Sequence, residues 1–139
     1  MSPSSDAPSS SSLSEVLSFT TGQIVQEIGY DDDVDLDLRD AIEDLIGDEL
    51  EEEDTQEIVD AVVLWWRDGD GDLTDALVDT LRNIEPGAPV WVMNPKAGRP
   101  GHVMPGEIQE SAGIAGLRVM SSMNLAPDWT GTRLASRVN

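Results

Sequence analysis

Asp68, Asp70 and Asp72 alternate with glycine in Asp-Gly-Asp-Gly-Asp, and Asp79 falls at the twelfth position counted from Asp68. Alternating carboxylates open the calcium loop, which takes oxygen ligands at its first, third, fifth and twelfth positions and a glycine at its sixth. Here Leu73 stands where that glycine belongs, Ala76 brings no ligand atom to the ninth position, and Asp79 replaces the bidentate glutamate. The expectation is no metal, with Asp68, Asp70 and Asp72 as weak candidates. A turn followed by a helix cap accounts for the same acids.

A second constellation mixes both charges. Arg67 and Asp68 follow one apolar run, and Asn94, Lys96 and Arg99 follow the next. Ligands of open α/β sheets bind outside the carboxyl ends of the strands, so these five are expected on one rim. Asp128, Trp129 and Thr130 lie on a turn whose position relative to that rim the spacing does not set. The chemical reading is a small anionic ligand or a docking partner. The plainer reading is ion pairs that order loops, each worth little. His102, the single histidine, sits in a Gly/Pro loop and reads as an exposed imidazole. No Ser/His/Asp order, glycine-rich phosphate loop or paired catalytic carboxylates stand out, so no catalytic residue is assigned.

The elements that must position these groups centre on residues 58–93. Ile58 to Trp66 is apolar but for Asp60, as in a strand covered on both faces. Leu73, Ala76, Leu77, Leu81 and Ile84 recur at helical steps behind Asp72 as N-cap. Pro86 ends that helix before the strand Val90 to Met93. Trp65 and Trp66 point to opposite faces, so both can be core, and Trp91 joins them; Trp129 is expected to anchor the last hairpin. Upstream, residues 13–19 suggest a short helix capped by Ser12 or Ser14, and residues 24–28 a strand. A helix over 34–46 buries Leu38, Ala41, Ile42, Leu45 and Ile46 and ends at Gly47. Residues 48–57 form an acidic connector with room for a short helix. Downstream, 94–104 is a loop, 105–115 a helix, and 117–124 and 132–135 strands joined by the turn at 127–131.

Length allows one domain over 13–139. Residues 1–12, with seven serines and two prolines, read as a disordered tail. The absence of cysteine removes disulfide and thiolate chemistry and fits the reducing cytosol. No stretch approaches a bilayer span, and the N-terminus lacks the charged and apolar regions of a secretory signal, so a cytoplasmic protein off the membrane is expected. The net charge is −20, and residues 1–60 hold 19 acids against Arg39 alone. Such a field repels phosphate backbones, which argues against direct nucleic-acid binding. It suits a basic protein surface, with Asp31, Asp32, Asp33, Glu51, Glu52 and Glu53 as the candidate contacts. A solvated, solubilising face is the plainer account.

Gly-Gln-Ile-Val-Gln-Glu-Ile-Gly-Tyr-Asp-Asp-Asp, Leu-Trp-Trp-Arg-Asp-Gly-Asp-Gly-Asp-Leu, Pro-Lys-Ala-Gly and Asp-Trp-Thr-Gly-Thr-Arg-Leu together resemble the actinobacterial domain-of-unknown-function family 3052. The resemblance runs from about Leu13 to Arg137 and implies an intracellular protein with no established activity. Glu85-Pro86-Gly87 before a strand and the closing strand pair resemble, more distantly, the class I fold of methyltransferases that use S-adenosylmethionine. That resemblance implies a three-layer αβα, reduced Rossmann-like sheet of about five mostly parallel strands, the last inserted antiparallel between its two predecessors. The glycine-rich cofactor loop of that fold is replaced here by Gly29-Tyr30-Asp31-Asp32-Asp33, and residues 29–57 are short for its second and third strands. No cofactor is therefore expected. The preferred expectation is a non-catalytic interaction or regulatory protein. A small-molecule sensor comes next, then a residual methyltransferase.

Overall fold

A computed structural model describes residues 10–136. In chain order the elements are α1 (Ser10–Leu17), β1 (Val25–Ile28), α2 (Leu36–Ile46), β2 (Ala61–Trp65), α3 (Leu73–Thr80), β3 (Val90–Pro95), α4 (Pro105–Ile114), β4 (Leu117–Asn124) and β5 (Trp129–Ser136). The sheet order is β1-β2-β3-β5-β4. β1, β2 and β3 run parallel, and β5 is antiparallel to both β3 and β4. This is a reduced, methyltransferase-like αβα sheet, with the final strand lodged between its two predecessors.

Period-two alternation in buried strands makes the layers. Ala61, Val63 and Trp65 of β2 face one way, with Trp91 and Met93 of β3, and pack under α1 and α2. Val62, Leu64 and Trp66 face the other way, with Val90 and Val92, and pack under α3 and α4. All five residues of β2 are buried, which is why the run carries no polar alternation. Asp35 caps α2 by accepting the Leu38 N–H, and Gly47 ends it at φ 75° with its N–H on the Glu43 carbonyl. Asp72 caps α3 by accepting the Asp75 N–H.

Several boundaries move. The expected tail at 1–12 falls outside the described residues up to position 9, and positions 10–12 are the first turn of α1. Ser12 and Ser14 therefore lie within that helix and do not cap it; burial of Leu13 and Leu17 against the sheet carries the helix backwards. The strand expected from Ile58 starts at Ala61, and Ile58 is 55% exposed. Asp60 ties the strand entry to the chain before β1: its carboxylate accepts the Ile24 N–H and its own N–H donates to the Ile24 carbonyl. α3 stops at Thr80, so Ile84 is not helical; it bridges Val59, whose N–H donates to the Asn83 carbonyl at 2.7 Å. Residues 48–57 form no helix. Glu51 bridges Gln26 in parallel at the outer edge of β1, with the Glu51 N–H on the Val25 carbonyl and the Glu27 N–H on the Glu51 carbonyl. The last turn is shorter than expected, and Trp129, Thr130 and Gly131 already pair with β3.

Candidate functional site

β1 ends at Ile28, and the chain turns at Gly29 with φ +83°. A Cβ at Gly29 would collide with the Trp65 carbonyl oxygen, so only glycine lets the loop cross the end of β2 this closely. The Glu51 bridge and a bond from Gln26 Nε2 to the Glu53 carbonyl hold the connector against β1. That placement brings the Glu53 carboxylate to the Gly29 N–H at 3.1 Å. A crevice of about 320 Å³ remains beside it, with Asp31, Glu53, Asp70 and Asp79 among its walls.

Arg67 closes the crevice from the β2 side. Its Nε and Nη2 reach both oxygens of Asp33, at 3.0 and 2.5 Å. Nη1 donates to the Gly29 carbonyl at 2.8 Å and reaches Asp70 Oδ2 at 3.3 Å. The guanidinium also lies 5.4 Å from the Trp129 ring centre, and the side chain is only 13% exposed. Burial works to lower the Arg67 pKa, but the bonds to Asp33 and Asp70 outweigh it and hold the group above its ordinary range. The Arg67 guanidinium in turn holds the Asp33 carboxyl below the usual aspartate value. Trp129 donates its indole N–H to the Asp33 carbonyl and meets Trp65 edge-on at 4.8 Å, so it anchors β5 as expected.

The five rim residues do not form one site. Arg67 belongs to the hub with Asp33. Arg99 pairs with Asp128 at 2.7 Å on an exposed corner that also carries Trp129 and Pro100. Asn94 and Lys96 line a separate cavity under α4, and Thr130 lies on its floor. Asp68 is exposed and contributes its backbone N–H to the Gly101 carbonyl. The rim splits because these residues leave different strands and follow different loop paths: Arg67 and Asp68 follow β2, Asn94 lies in β3, and Arg99 sits in the loop beyond it. His102 is not the exposed imidazole expected: it is half-buried, with Nδ1 2.8 Å from the Pro95 carbonyl. Of the metal candidates, Asp70 accepts from Arg67, Asp72 caps α3, and Asp68 is exposed. Among the described residues no three His, Cys, Asp or Glu side chains group as metal ligands.

The acidic candidates divide by what already holds them. Asp33 serves Arg67, Glu53 serves Gly29, and Glu51 bridges β1 and accepts the Thr55 hydroxyl. Asp31, Asp32 and Glu52 are exposed on the rim beside them. One group escaped the sequence reading. Glu27, 8% exposed, takes a bidentate pair from Arg39 at 2.6 and 2.9 Å and the indole N–H of Trp65 at 2.9 Å. Its bond to Glu27 is the main cause that raises Arg39 above its ordinary pKa. The signal was present: a carboxylate inside an apolar strand, and a lone base among 19 acids.

Solved structures of similar architecture show the fold. The pyocyanin biosynthetic protein PhzM matches 91% of this chain at a TM-score of 0.63 and 15% identity, and this chain spans 54% of its length. A SAM-dependent methyltransferase from Aquifex aeolicus matches 91% of this chain and 89% of its own at a TM-score of 0.62 and 13% identity. In the crevice at β1 the Gly29 amide is already bound by the Glu53 carboxylate of this chain, and Asp31, Glu53, Asp70 and Asp79 stand in the walls. In sequence, uncharacterized proteins of Mycobacterium tuberculosis and Mycobacterium bovis are 48% identical over 128 residues, 92% of this chain and 80% of theirs. Residues 14–138 match the model described as "Protein of unknown function (DUF3052)", and the chain belongs to that family.

Proposed function

We propose that this protein is a non-catalytic, cytosolic interaction module that meets a basic protein surface with its acidic rim. The observation that carries the reading is the self-filled crevice: Glu53 takes the Gly29 amide, and Arg67 is locked onto Asp33 and Asp70. What is left around it is negative, with Asp31, Asp32 and Glu52 exposed and both nearby arginines already paired. A cationic side chain is favoured at such a rim and an anion is repelled, and long-range attraction would speed the encounter.

Two measurements test it. Equilibrium dialysis with S-adenosylmethionine is expected to show no retention, and saturable retention overturns the non-catalytic reading. Crosslinking in native cells is expected to recover a basic partner whose yield drops in high salt and in the triple variant Asp31→Asn, Asp32→Asn, Glu52→Gln. An unchanged crosslinking pattern in that variant removes the acidic rim as the contact.

A further inference from the structure

The two edges of the sheet differ. On the outer side of β1 the chain's own Glu51 bridges Gln26. β4 forms the other edge, and among the described residues no segment bridges its outer side. A strand edge presents a row of backbone N–H and C=O groups, and another extended strand is what satisfies such a row. Of the eight residues of β4, Leu117 is buried, Ser121 is half-buried and six are exposed. Val119, Met120 and Met123 are 38%, 46% and 36% exposed, and Ile114 at the end of α4 is 69% exposed. The register shift between Val119 and Ser121 leaves Met120 outside the pairing with β5. Beyond that local bulge, Ser121, Ser122, Met123 and Asn124 keep unbroken register with Arg133, Thr132, Gly131 and Thr130. The strand holds no proline, lysine or carboxylate, the residues that commonly keep edges apart.

Charge narrows what can approach. Residues 111–127 contain no acid, in a chain with 28. Arg39, Arg67, Arg82 and Arg99 each pair with a carboxylate. Arg118 on β4 and Arg133 on β5 have no ion pair among the described residues, and the Arg133 Nε is buried without a partner. The acidic connector lies beside β1, four strand spacings or about 19 Å from β4. That exceeds two Debye lengths of about 8 Å at physiological salt. A second copy meeting this edge brings an equally acid-free strand, and each copy's unpaired arginines face the field of a −20 molecule. The edge is also self-complementary. Antiparallel pairing about a two-fold axis within Ser121–Asn124 sets the two Arg118 side chains at opposite ends, so these like charges are not opposed.

We infer that β4 pairs antiparallel with β4 of a second copy, joining two sheets into one across a two-fold axis. The acidic rims then stand at the far ends of the joined sheet and stay open to a partner.

The test is sedimentation equilibrium of the full chain at sub-millimolar to millimolar concentration. A dimer is expected, and it should tighten from about 0.15 M to about 1 M sodium chloride as repulsion between the acidic halves is screened. Hydrogen exchange should show β4 amides gaining protection as the dimer forms. The double variant Ser122→Lys, Met123→Lys, at two exposed positions, should weaken the dimer at least about tenfold, because lysines then oppose each other across the axis. It also lowers the net negative charge, so association governed by overall charge alone would instead strengthen. The triple rim variant described above should dimerise at least as well as the parent, which separates this interface from the proposed partner surface. A parent that stays monomeric throughout this range in high salt overturns the inference. A dimer that leaves β4 exchange unchanged, or that the double variant does not weaken, places the contact elsewhere and overturns it as well. Protection of β4 only in complex with a different protein assigns the edge to a foreign strand, with the same consequence.

Discussion

Glu27 and Arg39 show how one residue can be set by its neighbours. Glu27 lies inside the sheet edge, where an unpaired carboxylate would be strongly disfavoured. Arg39 reaches it from α2 and Trp65 from β2, so the carboxylate is held by three donors. Arg39→Ala should cost about 3 kcal/mol in urea denaturation, the low end for breaking buried pairs, because Arg39 retains some solvent contact. The double variant Glu27→Gln, Arg39→Met should recover part of that loss; a single Arg39→Ala variant as stable as the parent would refute the account. Asp33 supports a pH prediction. Its carboxyl is depressed in the folded state by Arg67, so folding favours the ionised form. That contribution is fully present above the unfolded aspartate value of about 4 and is lost as pH falls through the lower folded value. The urea midpoint of the parent should therefore fall more steeply below about pH 4 than that of Asp33→Asn.

At the scale of elements, the sheet depends on two close contacts that no propensity encodes. Gly29 lets the loop after β1 cross the Trp65 carbonyl. Gly29→Ala should destabilise by at least about 1–2 kcal/mol, the cost of a left-handed backbone for a residue with Cβ, with steric collision added. Thermal unfolding checks this, and an unchanged midpoint would show that the crossing relaxes freely. Trp129 ties β5 to the loop after β1 through the Asp33 carbonyl. Trp129→Phe keeps an aromatic ring beside Trp65 but drops that bond, so a loss of about 1 kcal/mol is expected by urea denaturation. A loss above several kcal/mol would mean that ring shape, not the indole N–H, carries the anchoring.

Over the whole molecule, charge opposes compactness. The chain bears −20, and its acids concentrate before residue 61, around α2 and the connector beside β1. Such self-repulsion is screened by salt. Moving from about 0.01 M to about 1 M sodium chloride shortens the Debye length from about 30 to about 3 Å. The urea midpoint should rise over that interval despite weakening of the exposed Arg99–Asp128 pair. A fall would show that ion pairs outweigh repulsion.

The linear pattern determined the layered sheet, because buried strands and amphipathic helices carry their burial in their periodicity. Ala61 to Trp65 was legible in this way and the caps Asp72 and Gly47 from their residue types, while the inserted last strand was implied by the resemblance to the methyltransferase fold. The resemblance to the unknown-function family was legible too, from separated motifs. Tertiary structure alone decided which side chains meet. Spacing along a strand says that Arg67, Asn94 and Arg99 lie near one sheet edge, but different strands and loop paths send them to three different surroundings. Arg39 meeting Glu27, Glu53 meeting Gly29, and Pro95 fixing both Asn94 and His102 are contacts across distant stretches of chain or within one folded loop. Their geometry exists only once the layers have closed.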